Sequence, residues 1–324
     1  MLKEGRGIWF WRNTVEKLGI NKIVSLCDQN HLNILLPEVP WISGSQGDSK
    51  YWEEKMVPII EEAHKKNMKV HPWVFALNAA SVDDNEDLMQ IDATGKDLSK
   101  YSGSSPIACP ANPLTRTKNV EKIVEMVKTY NIDGIHLEDC FVYHPSVWGN
   151  TPDVCYCNYC KEHAPIGEGS WRQWRCNQLT NLLAEIHTAI KKAKPEVKLS
   201  VAARVPYVSH SLLMSADWKR WCELEFLDFL IPMCYRKKNE DFLKVTKETK
   251  NLVSVTGSTP MYAGIGVSWS GKEITPDQLT EQIGIARSLG YEGICFFHLG
   301  GLNEGHWQKV GQAFSQLAQP IFIK

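Results

Sequence analysis

Apolar, β-branched and aromatic residues gather in eight short runs: GIWFW (7–11), LNILLPEV (32–39), KVHPWVF (69–75), GIHLED (134–139), KLSVAAR (198–204), FLDFLIPMCY (226–235), TPMYAGIGV (259–267) and GICFFHLG (293–300). Each has the length and residue content of a strand. Between them, stretches 51–67, 115–130, 171–194 and 277–289 carry apolar residues at helical spacing, several of them bounded by proline or glycine. Strands alternating with helices predict βα units and a parallel sheet. Eight units of about 35 to 40 residues fill the chain, so the pattern predicts a single domain over 1–324, a (β/α)₈ TIM barrel. An open doubly wound sheet is the alternative, but GIWFWRNT after the first strand holds no glycine-rich phosphate turn. Two connections are long, 76–114 after strand three and 140–170 after strand four. In a barrel both reach the C-terminal face, where active sites are built.

Composition narrows the class without changing the fold. The 324 residues are 43% hydrophobic and 23% charged, near the averages of globular proteins, and 36 basic residues balance 37 acidic ones. With no lysine or arginine run to follow a phosphate backbone, nucleic acid is not the expected partner. No apolar run has the roughly 18 to 20 residues a membrane-spanning helix needs, so no membrane partner is expected. The start MLKEGRGIWFWRN lacks the plan of a signal peptide, which points to a cytoplasmic chain; trimming of a secreted one would leave the same appearance.

The fourth run, DGIHLED, places charge at the end of a buried strand. Alternation puts His136 and Glu138 on the lumen side, sends Leu137 toward the helices, and leaves Asp139 at the rim. A carboxylate at the C-terminal end of a barrel strand reads as chemical, so Glu138 and Asp139 are the catalytic candidates. Asp133 and Gly134 at the strand's start read as structural. His136 is a substrate-binding candidate, and other strands supply more on the same face: Glu38, His71, Trp73, Arg204, Tyr235 and His298. Glycosidic cleavage uses two carboxyl groups, one protonated and one ionised. Besides Asp139, the candidates for the second are Glu38, Asp83 and Glu304. Twelve tryptophans suit a carbohydrate cleft, with Trp9, Trp11, Trp41, Trp73, Trp148 and Trp269 at strand ends or in loops. Trp171, Trp174, Trp218 and Trp221, at helical spacing, read as packing.

Residues 155–160 read CYCNYC, and Cys109 in IACPANP lies in the neighbouring long connection. Cys109, Cys155, Cys157 and Cys160 therefore form a candidate tetrahedral metal site. Structural zinc is the expected ion; an iron–sulfur cluster could use the same ligands, and no organic cofactor is expected. Other classes remain open. A barrel that binds carbohydrate without cleaving it would need no second acid, and a metal-dependent hydrolase could use His71, His136 and His298.

IACPANPLTR, DGIHLED and CYCNYCKEH, in that order, resemble glycoside hydrolase family 42 β-galactosidases. In that family a cysteine before proline and a later C-x-C-x-x-C bind zinc, and the acid/base glutamate ends strand four, where this chain has Glu138. Family 42 also has a nucleophilic glutamate at the end of strand seven, whereas TPMYAGIGVSWSG holds no acid before Glu273. More broadly RGIWFW, HPWVFALN, CPANPLTR, DGIHLEDCFVYHP and FLDFLIPMCY resemble the glycosyl hydrolase-like family 10 over nearly the whole chain. That family usually has Asp-Asp where Glu138-Asp139 stand. The resemblance implies a hydrolase of glycans, such as the amino-sugar polymers of cell walls.

Overall fold

A computed structural model of the chain describes residues 4–41, 46–100, 106–138, 154–165, 170–254 and 259–315. All eight predicted strands are present: β1 Gly5–Phe10, β2 Ile34–Pro37, β3 in two pieces (Lys69–Val70 and Trp73–Val74), β4 Gly134–Leu137, β5 Lys198–Ala203, β6 Phe229–Pro232, β7 Tyr262–Gly266 and β8 Gly293–Phe297. The interruption in β3 falls at His71-Pro72, where the proline has no N–H to give to a ladder. One parallel sheet runs β3–β2–β1–β8–β7 through the first piece of β3, and a second runs β3–β4–β5–β6 through the other piece. Between β6 and β7 the ladder is reduced to isolated parallel bridges, Leu230 with Met261 and Met233 with Gly264.

The helices begin where local chemistry starts them. Asn112 accepts from the Leu114 N–H at 3.0 Å and Pro113 follows at the first helical position, opening the helix Pro113–Thr129. Thr275 and Gln278 form a reciprocal capping box at the head of Pro276–Ser288. The predicted helix 171–194 is Ser170–Ala193, and Trp218 and Trp221 of Trp218–Glu223 are fully buried, as packing residues should be. Alternation divides each strand's side chains between two apolar clusters. Ile8, Leu35, Leu137, Leu230 and Ile265 join the large one beneath the helices; Trp9, Leu36, Trp73, Ile231 and Cys295 join a smaller inner one.

At the N-terminal ends of the strands one device recurs four times. The residue just before each even-numbered strand accepts a hydrogen bond from a backbone N–H at the start of the preceding odd one. Asn33 accepts from Arg6 at 2.8 Å, and Asp133 from Val70, Asp228 from Leu199 and Glu292 from Met261, each at 2.9 Å. The three carboxylates are also paired with lysines: Asp133 with Lys69, Asp228 with Lys191 and Lys198, Glu292 with Lys250. Burial raises Asp133 and Asp228, but the lysine and backbone hydrogen bonds outweigh it and hold both below the usual carboxylate range.

Candidate active site

At the opposite ends of the strands lies a cleft of about 1080 Å³. Glu138 follows β4 directly, its N–H bonded to the Val74 carbonyl at 2.9 Å, and its side chain is 8% exposed. Trp73 Nε1 donates to its carboxylate, so a buried acid is tied to an indole across the β3–β4 pair. Aromatic rings build the walls. Trp11 lies 4.5 Å from Trp73 between ring centroids and meets Phe297 edge-on at 5.9 Å, while Tyr235 stacks on Phe297 at 5.2 Å. Trp9 and Trp269 complete that lining.

Five of the residues predicted as catalytic or substrate-binding meet in this cleft, Trp73, Glu138, Arg204, Tyr235 and His298, together with the predicted tryptophans Trp9, Trp11 and Trp269. Burial lowers the His298 imidazole's affinity for a proton, which favours the neutral ring. Three others sit elsewhere. His136 is fully buried below the floor, 2.9 Å from Ser200 Oγ, with Trp9 ring-to-ring at 5.5 Å; burial, then the nearby His71, depresses its proton affinity strongly. His71 lines a pocket at the other end of the strands, beside Asp133 and Asp228, and burial pushes it down to about 4. Its ring occupies the space a Cβ on Gly134 would need. Glu38 faces an adjoining 320 Å³ pocket on the far side of Trp11. There its Oε2 accepts from the Arg12 N–H at 3.1 Å, at the start of the helix Arg12–Leu18.

Among the further carboxylates, Asp83 is bound to Lys118 and Lys122, and Glu304 opens the helix Glu304–Ser315; neither lines the cleft. Asp139 and Trp148 lie outside the described residues. Trp41 is buried and donates to the Phe75 carbonyl at 3.0 Å. The cleft contains a group of side chains that the strand pattern did not single out. Arg236, Lys237, Lys238 and Asp241 follow β6, and Lys272 follows β7.

The end of β7 is closed to an acid. Gly264 and Gly266 stand at the inward positions, and a Cβ on Gly266 would come 2.7 Å from the Trp269 ring and 2.9 Å from Tyr235. On Gly264 it would meet the Pro232 carbonyl at 2.6 Å. These approaches are closer than side chains tolerate, so the strand end is filled by aromatic rings instead of a carboxylate.

The two long connections converge on the four cysteines. Sγ atoms of Cys109, Cys155, Cys157 and Cys160 all lie within 4.8 Å of one another, and all four residues are buried. Cys109 is 3.5 Å from Cys160 and 3.8 Å from Cys157. A disulfide would need about 2.05 Å. Four thiolates around an ion with metal–sulfur bonds of about 2.3 Å stand about 3.8 Å apart, so the donor set fits a tetrahedral metal. Burial pushes the Cys109 thiol up, and a bound cation is what would let such a group deprotonate. With all four positions taken by sulfur, the ion would hold the Cys109 segment to the Cys155–Cys160 segment and keep no place for a reacting water.

The fold is shared with enzymes that act on sugars. A β-galactosidase from Bacillus circulans superposes with a TM-score of 0.72 at 12% identity, over 98% of this chain and 56% of that one. Residues 37–273 match the glycosyl hydrolase-like 10 family, and the chain belongs to that family. Curated relatives include the glycosyl hydrolase YngK of Bacillus subtilis, 26% identical over 244 residues, and the glycosyl hydrolase DigH of Escherichia coli K12, 26% identical over 251. Each match takes in 68% of this chain, against 47% of YngK and 56% of DigH, so the chain spans about half the length of these relatives.

Proposed function

We propose that this chain is a glycoside hydrolase built on a closed (β/α)₈ barrel and cleaving glycosidic bonds in an oligo- or polysaccharide, with Glu138 as the general acid. Closure is supported by parallel pairing that can be followed from each strand to the next and from β8 back to β1. The single observation that carries the activity is the Glu138 carboxylate, at the C-terminal end of its strand, held by Trp73 Nε1 at the base of an aromatic-walled cleft. Flat rings such as Trp11 and Trp269 suit the apolar faces of sugars. Arg204, Tyr235 and His298 offer polar atoms for the hydroxyls, and Glu38 steadies the wall beyond Trp11.

Asp139, next to Glu138, is the proposed partner carboxylate: positions 264 and 266 of β7 have no room for one, and Asp241, the other carboxylate among the described lining residues, sits on the helix after β6. The retaining two-glutamate arrangement is therefore not assigned to this chain. The four cysteines hold structural zinc, which clasps the connections after β3 and β4 beside the substrate. Elemental analysis of freshly purified protein should find about one zinc per chain, and a metal-free, fully folded protein would overturn that assignment. Glu138→Gln should fold normally and lose turnover on any glycan the unsubstituted chain cleaves; retained turnover would remove Glu138 from its role. The filled β7 end favours a second reading, a barrel that binds glycan without cleaving it. Any Glu138-dependent release of reducing ends excludes it.

A further inference from the structure

The chain as a whole is almost neutral, yet the described residues that line the cleft are not. Arg204, Arg236, Lys237, Lys238 and Lys272 line it, with His210 beside them, against only two carboxylates among the described lining residues, Glu138 and Asp241; Lys238 is also paired with Glu240 at 3.7 Å. Glu138 is bound by Trp73, and Asp241 lies in the first turn of the helix Asn239–Ser254, where the helix dipole already offsets a negative charge. The cations are grouped on the side formed after β5, β6 and β7, away from the Trp11–Trp73 wall. Arg236 Nη1 donates to the Tyr235 carbonyl at 2.8 Å, which fixes the guanidinium at the cleft wall. Besides burial, the charges of Arg236 and Arg204 disfavour protonation of His210, so these groups share one field. Mutually repelling cations kept together in a concave site concentrate anions there.

We propose that this side of the cleft is a subsite for a sugar bearing an oxyanion substituent, a carboxylate or a sulfate, with Arg236, Lys237 and Lys272 as its recognising residues. The proposal rests on the glycoside hydrolase reading for the sugar and on the cations for the charge. Stacking on Trp269 and Tyr235 would orient the ring while the cations select the substituent.

Binding is measured by calorimetry on the full chain carrying Glu138→Gln, at low and at high salt. The probes are tetragalacturonate and its carboxyl-reduced neutral counterpart, a hyaluronan tetrasaccharide, a chondroitin sulfate tetrasaccharide with its desulfated form, chitotetraose, and a single-stranded oligothymidylate. At least one acidic tetrasaccharide should bind about tenfold or more tighter than its neutral counterpart, the gain of one or more charge-assisted hydrogen bonds. That preference should shrink with salt, and Lys237→Ala with Lys272→Ala should abolish it while the thermal unfolding midpoint stays in place. The carboxylate and sulfate arms identify the substituent. The subsite is overturned if no acidic probe is preferred, if the preference survives both lysine substitutions, or if the oligothymidylate binds tightest. Turnover of a neutral glycan without acidic preference would overturn the subsite alone. Acidic preference without turnover by the unsubstituted chain would support the subsite and overturn the hydrolase reading.

Discussion

The two ends of the strands both collect charged side chains, and they treat them in opposite ways. At the N-terminal end the three carboxylates that precede β4, β6 and β8 each have a cation and a backbone donor: Asp133 with Lys69 and Val70, Asp228 with Lys198 and Leu199, Glu292 with Lys250 and Met261. At the C-terminal end one buried carboxylate rests on an indole, and among the described lining residues an arc of cations outnumbers the acids. Paired charge that repeats from strand to strand holds the sheet in register. Charge that does not repeat from strand to strand and is set among aromatic rings has no such register to hold, which is why we assign it to a ligand. In the barrel proposed above, that division follows the rule that chemistry is placed at the C-terminal ends of the strands.

The sharpest test separates the ends by substitution. Glu138→Gln should lower kcat/KM on a responsive glycan by about 10² to 10⁴, the range for a general acid, with its urea unfolding midpoint close to that of the unsubstituted chain. Asp228→Asn should do the reverse: a loss of about 2 to 3 kcal/mol in unfolding free energy, from bonds to a charged acceptor, with kcat/KM near its original value. If both substitutions reduced activity and stability together, the proposed division would fail. A finer cut is Trp73→Phe, which keeps an aromatic wall and removes the Nε1–H that reaches Glu138. We expect kcat to fall by about tenfold or more, read by initial rates.

The smallest predicted effect is a pH dependence of stability set below the cleft. His71 is buried and pushed down to about 4, whereas an unfolded histidine titrates near 6.5. Between those values the unfolded chain binds the extra proton, so stability is complete above about pH 6.5 and declines as the pH falls toward 4. At pH 5 the loss from His71 is about 2 kcal/mol, measured as a lower urea midpoint than at pH 7, and His71→Gln should flatten that slope. Asp133 and Asp228 act in a lower window. Their folded affinities for a proton are reduced, so their contribution is present above about pH 4 and is lost as the pH falls further.

Much of this was written in the sequence, and the exceptions have physical causes. Strand alternation placed Leu137 outward and Glu138 toward the cleft, because a period of two leaves little freedom at a buried strand. The same rule put His71 and Trp73 on one face without revealing their height. Two residues are about 6.6 Å along a strand, enough to put Trp73 at the cleft and His71 at the opposite pocket. Glu38 was legible as a strand-end acid; that it serves the start of the Arg12–Leu18 helix depends on where that helix begins. The C-x-C-x-x-C spacing announced the cysteine site, and Cys109 was found because both long connections leave the same face. The basic arc was hidden, since Arg236-Lys237-Lys238 is too short to stand out as a run. Lys272 joins it only through the adjacency of β6 and β7.

Gly266 sets the mutational distance between this site and a two-glutamate one. A single change to glutamate there would drive the new side chain into Trp269 and Tyr235, so both rings would have to be cut back at the same time. Those rings pack on each other and Tyr235 stacks on Phe297, so each intermediate along such a route loses wall before it gains a nucleophile. For an engineer, the productive starting point is therefore a combined library at positions 235, 266 and 269, screened together.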